Sequence, residues 1–524
     1  MSCGDRKYLV VLRFLVLGIC VAVGVTSELP ARSPKPHIIF ILADDLGWYD
    51  VSWHNPKALT PNLQTLAKEG IVLDQSYVQP LCTPTRSALL TGRYPFTIGR
   101  QHGILGPRQP TGLTLNATLL PEALKEAGYS THAVGKWHLG FCHWAYTPTY
   151  RGFDTFFGYY NGGEDHYFHS LGTKWRGTID EDEQAYGYDF RNNIDVDLSV
   201  NGTYDTDAYS SHIEDLLSTR NPEDPMFLYF ALQSIHTPLQ VPEDYTKPFK
   251  YIGDMERETV LAMSWAMDDA VGRVVNALKA TGHYDNSIII FSSDNGGHQS
   301  GANNWPLRGA KGSLWEGGTR APGFIHSPLL PKTGFVSDSL VHVTDWYATL
   351  VGLAGGKVPE NTDGFDQWEA LTSGSPPPRT SFIYNIDNSL GPDNTTQLKA
   401  ALRKGDYKMI VGDPGDGSWT LPPEGFDTED ILDGYNTLDD NPSLVGIRLF
   451  NVIDDPEERR NIAELHYDIV EDMLADLLIE LLPTRPCRLT TKRPQQQPEV
   501  FRGRLEPRLV SSLKGNPRTL LLLT

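Results

Sequence analysis

The stretch HIIFILA at residues 37–43 is almost entirely apolar and is the strongest indication of the fold in this sequence. From Ile38 to Ala43 it contains no polar side chain and is rich in isoleucine, which is typical of a strand buried on both faces of a parallel sheet. Asp44 and Asp45 follow it directly. The run therefore predicts a central strand that carries two carboxylates to the edge of a sheet.

Helical and strand patterns alternate in the chain beyond this run. Three units pair a helical pattern with an apolar strand: 61–70 with 71–73, 120–128 with 131–134, and 257–282 with 287–292. This alternation predicts an α/β fold in which a large, mostly parallel sheet is sandwiched by helices.

Composition divides the chain into four segments. Residues 1–27 carry basic residues and then a short apolar run, which predicts a secretory signal peptide. The run is short for a membrane span of about 20 residues, so a retained anchor is the less favoured alternative. Residues 34–375 are expected to form the α/β domain, 376–486 a smaller C-terminal α+β domain, and 487–524 a mobile tail.

The net negative charge of the chain bears on which kinds of binding partner are expected. The 524 residues include 45 basic and 65 acidic side chains, a formal net charge of −20, and no long Lys/Arg run stands in the body of the chain. Nucleic acid is therefore excluded as the expected partner. A polyanionic substrate would need a local basic pocket.

Oxygen-bearing side chains follow two matched strands. Asp44 and Asp45 end the first, and Asp294 and Asn295 end the strand at 287–292. Ligands of open α/β sheets bind beyond the carboxyl ends of the strands, and hard oxygen donors suit Ca²⁺ or Mg²⁺. One such pair alone would more often be a helix cap or a turn, but two pairs favour a metal site.

Basic side chains follow two further strands. Lys136 and His138 come after the strand at 131–134, and His236 comes after the apolar run 226–232. Such groups could bind an anion and protonate a leaving group. A single histidine in such a position is more often only hydrogen-bonded in a loop.

The cysteines left after removal of the signal peptide are odd in number: Cys82, Cys142 and Cys487. Cys82 lies just before a predicted helix, with Thr83 as a possible N-cap, and Arg86 follows one turn later. A helix start with a nearby guanidinium attracts anions. A buried, inert thiol is the plainer alternative for a single cysteine.

Three glycosylation sequons agree with the secretory route that the signal peptide predicts. The expected location is a lysosome or the outside of the cell. The sequons begin at Asn116, Asn201 and Asn394. Each match is weak evidence alone, and together they agree with the signal peptide.

These residues resemble the sulfatase family. CTPTR at 82–86 with TGR at 91–93 is similar to the first signature of that family, and GYSTHAVGKWHLG at 128–140 to the second. Segments 43–48, 294–297 and 309–320 are similar to its metal and lysine segments, and the likeness spans about residues 37 to 465. The resemblance implies the alkaline-phosphatase-like sulfatase fold and hydrolysis of sulfate esters.

One branch of the family is the nearest in pattern. Residues 151–154 (RGFD) and 157–159 (FGY) resemble the arylsulfatase B, or N-acetylgalactosamine-4-sulfatase, branch. Thr85 departs from the serine that most members carry. The resemblance implies a sulfated carbohydrate substrate, such as N-acetylgalactosamine 4-sulfate in a glycosaminoglycan.

The family also implies a covalent modification. By resemblance, Cys82 is oxidised to formylglycine by the formylglycine-generating enzyme, which would explain the odd cysteine count. Cys142 and Cys487 then remain as partners for one disulfide. One Ca²⁺ per chain would be held by Asp44, Asp45, Cys82, Asp294 and Asn295.

The resemblance implies roles for the remaining site residues. Arg86 would hold the modified side chain, and His138 would act as a base when sulfate is released. Lys136, Lys311 and His236 would neutralise the sulfate oxygens. Either Lys311 or His236 would protonate the leaving alcohol, and the sequence does not choose between them.

Two other classes of function remain open at this point. A metal-dependent phosphatase or phosphodiesterase of the same fold would share the carboxylates, but would use Ser or Thr and more histidine ligands. A non-catalytic secreted binding protein would keep Cys82 as a thiol.

Overall fold

The computed structural model describes residues 35–172, 186–390, 396–425 and 446–481. The predicted signal peptide 1–27 and tail 487–524 lie outside these ranges. So do Asn394 and Cys487.

The described ranges contain a large sheet and several small ones. The strands are β1 (His37–Ala43), β2 (Ile71–Leu73), β3 (Ser76–Tyr77), β4 (Ser130–Lys136), β5 (Thr155–Tyr159), β6 (Ser170–Gly172), β7 (Tyr186–Tyr188), β8 (Phe190–Asn192), β9 (Asp195–Val196), β10 (Met226–Ala231), β11 (Ser287–Ser293), β12 (Phe324–His326), β13 (Phe335–Ser337), β14 (Val341–His342), β15 (Ser381–Leu390), β16 (Thr396–Lys404), β17 (Tyr407–Val411) and β18 (Ile447–Asn451).

The helices lie mainly between these strands in the chain. The α-helices are α1 (Pro61–Glu69), α2 (Cys82–Thr91), α3 (Leu120–Glu126), α4 (Asp205–Ser218), α5 (Glu243–Thr246), α6 (Met255–Ala280), α7 (Glu316–Thr319), α8 (Asp345–Leu353), α9 (Trp368–Ser373) and α10 (Tyr467–Leu481). Short 3₁₀ helices occur at Pro95–Thr97, Trp144–Tyr146, Pro148–Tyr150, Lys247–Phe249 and Tyr284–Asn286. Within the described ranges, none of the helices is both long and apolar enough to cross a membrane.

Ten strands form the large sheet, in the order β13-β2-β12-β11-β1-β10-β4-β5-β8-β9. Its centre, β11-β1-β10-β4-β5, is entirely parallel, as the sequence predicts. The edges are mixed, since β12 and β8 run antiparallel to their inner neighbours. The α/β fold class is therefore confirmed, with antiparallel pairs at both edges of the parallel centre.

Strand β1 is buried on both faces by two layers of helices. Ile38 and Phe40 pack in one core with Leu89 of α2. Ile39 packs in another core with Met267 of α6. Because successive side chains of a strand point to opposite faces, an unbroken apolar run serves both cores, and each buried side chain contributes about 1.5–3 kcal/mol.

A second, antiparallel sheet follows in the order β15-β16-β17-β18. The buried residues Val470, Met473 and Leu477 of α10 share a core with Leu402 and Met409 of this sheet. Their spacing of three and four residues places them on one helix face. This antiparallel sheet with its helix confirms the smaller C-terminal part of the fold, while the predicted domain bounds stay predictions.

Candidate active site

The ends of β1 and β11 bring the four predicted oxygen-bearing residues together. The two strands pair in parallel register up to Ala43 and Ser293, so Asp44 and Asp294 follow at the same edge. The backbone N–H of Asp45 donates to Oδ1 of Asp294 at 3.3 Å. Nδ2 of Asn295 donates to Oδ1 of Asp45 at 2.8 Å. All four side chains are buried.

Each of the three carboxylates faces its own cation. Nε and Nη2 of Arg86 donate to Oδ2 of Asp294 at 3.0 and 2.8 Å. Nζ of Lys136 lies 2.5 Å from Oδ2 of Asp44, and Nζ of Lys311 lies 2.6 Å from Oδ1 of Asp45. The cluster therefore balances three acidic with three basic groups, as buried charges require.

The pKa values of this cluster are displaced from their ordinary ranges. Burial, and then the charge of Asp294, raise the pKa of Asp44 to about 7. Burial would also raise the pKa of Asp45, but Lys311 and His236 bring it below its usual range. Burial alone would lower the pKa of Lys311, but Asp45 raises it. These two oppositely charged groups hold each other in their ionised forms.

Two oxygen atoms of the cluster are available to a cation. Oδ1 of Asp44 and Oδ1 of Asn295 are buried and have no hydrogen-bond partner among the described residues. A buried oxygen without a partner calls for an explanation, such as an ion. Donor atoms of Asp44, Asp45, Cys82 and His236 also lie within 4.8 Å of one another. The oxygen donors fit a hard cation such as Ca²⁺.

Cys82 is the first residue of α2 and is almost completely buried. The predicted N-cap Thr83 is wrong, because Leu81 holds that position and makes no side-chain cap. The hydroxyl of Thr83 instead donates to the carbonyl of His138 at 3.1 Å and accepts from the N–H of Leu105. Burial raises the pKa of the Cys82 thiol to about 11. An unmodified thiol would therefore remain protonated and weakly nucleophilic.

A cavity of about 620 Å³ opens beside these groups. Its walls include Cys82, His138, His236 and Lys311, together with residues 104–105, 107, 162–165, 170–172 and 237–238. The volume is within the range of small-molecule sites. The sulfur of Cys82 thus lies between a polar cluster and a space that can receive a substrate.

The profile of the sulfatase family matches residues 36–356, which is more than half of the chain. The chain belongs to the sulfatase family. Members of this family hydrolyse sulfate esters, and the two signatures recognised in the sequence fall within the matched range.

This sulfatase is similar to two named sulfatases and to one solved structure of a carbohydrate complex. It is 42% identical to mouse arylsulfatase J over 90% of this chain and 80% of that protein. It is 32% identical to rat N-acetylgalactosamine-6-sulfatase over 74% of this chain and 75% of that protein. The solved structure of Ps i-CgsB in complex with k-i-k-neocarrahexaose has 30% identity and a TM-score of 0.72, over 85% of this chain and 92% of that one. The arylsulfatase B branch stays a prediction.

The two predicted histidines of the sulfatase lie against the cavity from different sides. His138 lies beyond β4, at a positive φ of 57°, and its Nε2 donates to the carbonyl of Leu105 at 3.0 Å. Nδ1 of His236 donates to the carbonyl of Thr237 at 2.6 Å, which leaves Nε2 directed toward Oδ2 of Asp45 at 3.9 Å. Burial, with nearby lysines, lowers the pKa of both imidazoles.

Sequence reasoning missed one wall of the cavity, which we call the pocket loop, residues 161–169. A Cβ on Gly162 would lie 2.5 Å from Cε1 of His138, and one on Gly163 would lie 3.0 Å from Nδ1 of His236. Both imidazoles therefore pack directly on a glycine backbone. The adjacent glycines were the signal in the sequence that could have marked this approach.

The remaining predicted sites are peripheral or outside the described residues. Asn116 and Asn201 are exposed, as glycosylation requires, and Asn394 lies outside the described ranges. Cys142 is exposed and has a free thiol in this structure. Because Cys487 is also outside those ranges, the disulfide stays a prediction.

Proposed function

We propose that this protein hydrolyses a sulfate ester of a glycosaminoglycan sugar, such as N-acetylgalactosamine 4-sulfate, with formylglycine made from Cys82 and one bound Ca²⁺. The observation that carries the proposal is the position of Cys82, at a helix start between two buried cations, Arg86 and Lys136, the partly buried Lys311, and a cavity of about 620 Å³. No other cysteine among the described residues lines that cavity.

The aldehyde explains turnover where a thiol does not. Its hydrate would offer two hydroxyls; one would lose its proton and attack sulfur while the S–O bond to the sugar breaks, and the sugar oxygen would take a proton. The second hydroxyl then loses its proton and re-forms the aldehyde, which breaks the C–O bond to sulfate and releases it. Water restores the hydrate.

The chain's own residues would hold the sulfate and move the protons. Lys136 and Lys311 would neutralise two sulfate oxygens, and Arg86 would hold the hydrate beside Asp294. Nδ1 of His138 is buried without a hydrogen-bond partner among the described residues, which suits a base for the second hydroxyl. Ca²⁺ on the oxygen cluster would polarise a sulfate oxygen and lower the pKa of the hydrate.

The leaving sugar would occupy the side of the cavity bounded by His236 and the pocket loop. Nε2 of His236 and Nζ of Lys311 both approach Asp45, so either can reach a leaving oxygen near that carboxylate. The acidic chain would repel a polyanion at long range, so binding depends on this local set of cations. An acidic compartment such as a lysosome would raise the protonated fraction of His236, against the lowering of its pKa by burial and Lys311.

The mass of the peptide that contains Cys82 tests the modification. Protein from eukaryotic secretory cells should carry formylglycine at this position, and Cys82→Ser should trap sulfate covalently and turn over poorly. A fully unmodified thiol in protein from cells with the modifying enzyme would overturn the catalytic proposal and favour a binding protein.

The sugar is tested by comparing esters on one preparation. Saccharides sulfated at the 4- or the 6-position of N-acetylgalactosamine, a small aryl sulfate and an aryl phosphate would be assayed from pH 4 to 8. We expect the 4-sulfated sugar to give the highest kcat/KM at acidic pH. Preference for the 6-sulfate would reject the branch, and preference for the phosphate would reject sulfatase activity.

A further inference from the structure

One buried ion pair is not used by the mechanism above and lies against His236, a residue of the cavity wall. Nδ1 of His166, in the pocket loop, is 2.9 Å from Oδ2 of Asp205, the first residue of α4, and both side chains are fully buried. Burying such a pair removes both groups from water, and favourable contacts must balance that desolvation. The contacts of His166 and Asp205 show which part of the chain this pair holds in place.

The ring of His166 lies between Asp205 and the turn formed by residues 234–237, which carries His236. Its Nε2 lies 3.1 Å from the carbonyl oxygen of His236. A carbonyl only accepts, so a proton on Nε2 is what allows this contact, and with Nδ1 facing the carboxylate of Asp205 the ring then carries a proton on each nitrogen. Nε2 of Gln233 also lies 3.1 Å from Nε2 of His166, and it donates to the carbonyl of Glu164. Burial alone would lower the pKa of His166, but Asp205 raises it, which agrees with a doubly protonated ring.

Asp205 holds the same turn by a second route. Its Oδ1 accepts from the hydroxyl of Thr206 at 3.0 Å, and that hydroxyl lies 3.1 Å from the hydroxyl of Ser234. Ser234 and His236 are therefore both tied, through one intermediate residue each, to the carboxylate of Asp205. The two routes hold the turn near both of its ends.

The orientation of the His236 ring follows from this turn. Its Nδ1 donates to the adjacent carbonyl of Thr237, so a shift of the backbone moves the ring with it. Its other nitrogen is the one directed toward Asp45 and the cavity. An error of about 1 Å in such a group can cost about 100-fold in rate.

We propose that His166 and Asp205 are positioning residues, which act through the 234–237 turn to hold the imidazole of His236 against the leaving side of the substrate. The inference rests on the proposed function of the site. It assigns a role in the reaction to a residue pair that does not touch the substrate.

A matched pair of variants separates positioning from simple neutralisation of Asp205. His166→Gln keeps an N–H donor near the position of Nε2, toward the carbonyl of His236. His166→Asn keeps a donor near the position of Nδ1, toward Asp205. Both are uncharged amides. We expect His166→Asn to lower kcat by about 10- to 100-fold with KM changed less than about 2-fold, and His166→Gln to retain more of the kcat.

A double-mutant cycle tests whether the effect passes through His236. In a His236→Ala background, His166→Asn should cause no further loss of kcat, since the group it positions is gone. Melting temperatures and calcium content of all variants would be measured together with formylglycine content, so that loss of folding or modification is seen directly.

The outcomes separate this inference from the proposed function. Equal kcat values for the Asn and Gln variants, or additive losses in the double variant, would overturn the positioning role while leaving the sulfatase activity of the unaltered enzyme in place. A fully modified, calcium-loaded wild-type enzyme with no activity on any sulfate ester would instead overturn the proposed function.

Discussion

The two halves of the site are built in different ways. The strand-end half consists of Asp44, Asp45, Asp294, Asn295 and Lys136, which end or follow parallel strands and are buried in one ion network. The loop half consists of the pocket loop, the 234–237 turn and the segment around Lys311. The first half takes its geometry from sheet register, and the second from contacts between distant loops. Substitutions in the strand-end half should therefore act by breaking buried ion pairs, and those in the loop half by displacing side chains.

The largest effect is expected from the strand-end half, at Asp294. Asp294→Ala removes an oxygen donor and both short bonds from Arg86, so activity should fall by about 10³-fold or more. Leaving Arg86 without its main buried partner should also cost about 3–5 kcal/mol of unfolding free energy. Activity, bound calcium and chemical denaturation measure these effects.

Asp294→Asn is the matched control for that prediction. It keeps the shape of the side chain and one oxygen acceptor but removes the charge, so it should be more stable than the alanine variant and still inactive. An asparagine variant with normal calcium binding and turnover would contradict the assignment of Asp294.

Lys408 of the second sheet holds a buried carboxylate, Glu316, that lies five residues after Lys311 in the chain. Nζ of Lys408 in β17 lies 2.9 Å from Oε1 of Glu316 and 2.8 Å from Oε1 of Glu458, and all three side chains are buried. Lys408→Met would leave Glu458 without its cation and Glu316 with Arg320 at 3.8 Å, and should cost about 3–5 kcal/mol of unfolding free energy. The segment of Lys311 should be displaced with them.

The control for Lys408 is Lys399→Met, which breaks a partly exposed pair with Asp413 and should cost at most about 1 kcal/mol.

The pH dependence of the stability of the Lys408 variant gives a second check. Burial raises the pKa of Glu458 to about 7. A carboxyl with a raised folded pKa binds protons in the folded state, so the Lys408 variant should regain stability as pH falls below 7. Stability that falls with acidification would refute this.

A smaller effect is expected from the pocket loop. An alanine Cβ at Gly162 would meet the ring of His138 at 2.5 Å, so Gly162→Ala should lower kcat by about 10- to 100-fold with little change in melting temperature. Gly187→Ala is the matched control, because nothing lies within 4 Å of its Cβ position. Equal kcat values for the two variants would show that the loop tolerates a shift of His138.

A further effect concerns stability in acid, at a carboxyl that binds the first residue of the same loop. Oδ2 of Asp189 accepts from the N–H groups of Tyr160 and Asn161, and burial raises the pKa of Asp189 to about 6. Folding should therefore be favoured by this group as pH falls from 6 toward 4, by up to about 3 kcal/mol.

Asp189→Asn should remove that gain, measured as unfolding free energy at pH 4.5 and 7.5. The exposed Asp195→Asn, in the neighbouring hairpin, should leave the wild-type difference intact. A wild-type enzyme that loses stability between pH 6 and 4.5 specifically through Asp189 would contradict the sign of this prediction.

The same contrast explains what the sequence could predict. Asp44 and Asp294 were found because an apolar run ends at each, and parallel register then places them together. The resemblance to the family signatures supplied the roles proposed for Cys82 and Lys311. The contacts of the pocket loop were not predictable, because His166 meets Asp205 and His236 across 39 and 70 residues of chain. The helix cap at Thr83 failed because its hydroxyl is used by two distant loops.

The burial of Cys82 also has a consequence for the order of events during synthesis. Cys82 is 1% exposed in the finished fold, and the N–H of Gly312, beside Lys311, donates to the carbonyl of Pro80, two residues before Cys82. An enzyme that oxidises Cys82 must therefore reach it before Lys311 arrives. At about 5–20 residues per second, the chain between the two takes roughly 10 to 45 seconds to emerge. Slower translation of that stretch should raise the fraction of modified protein.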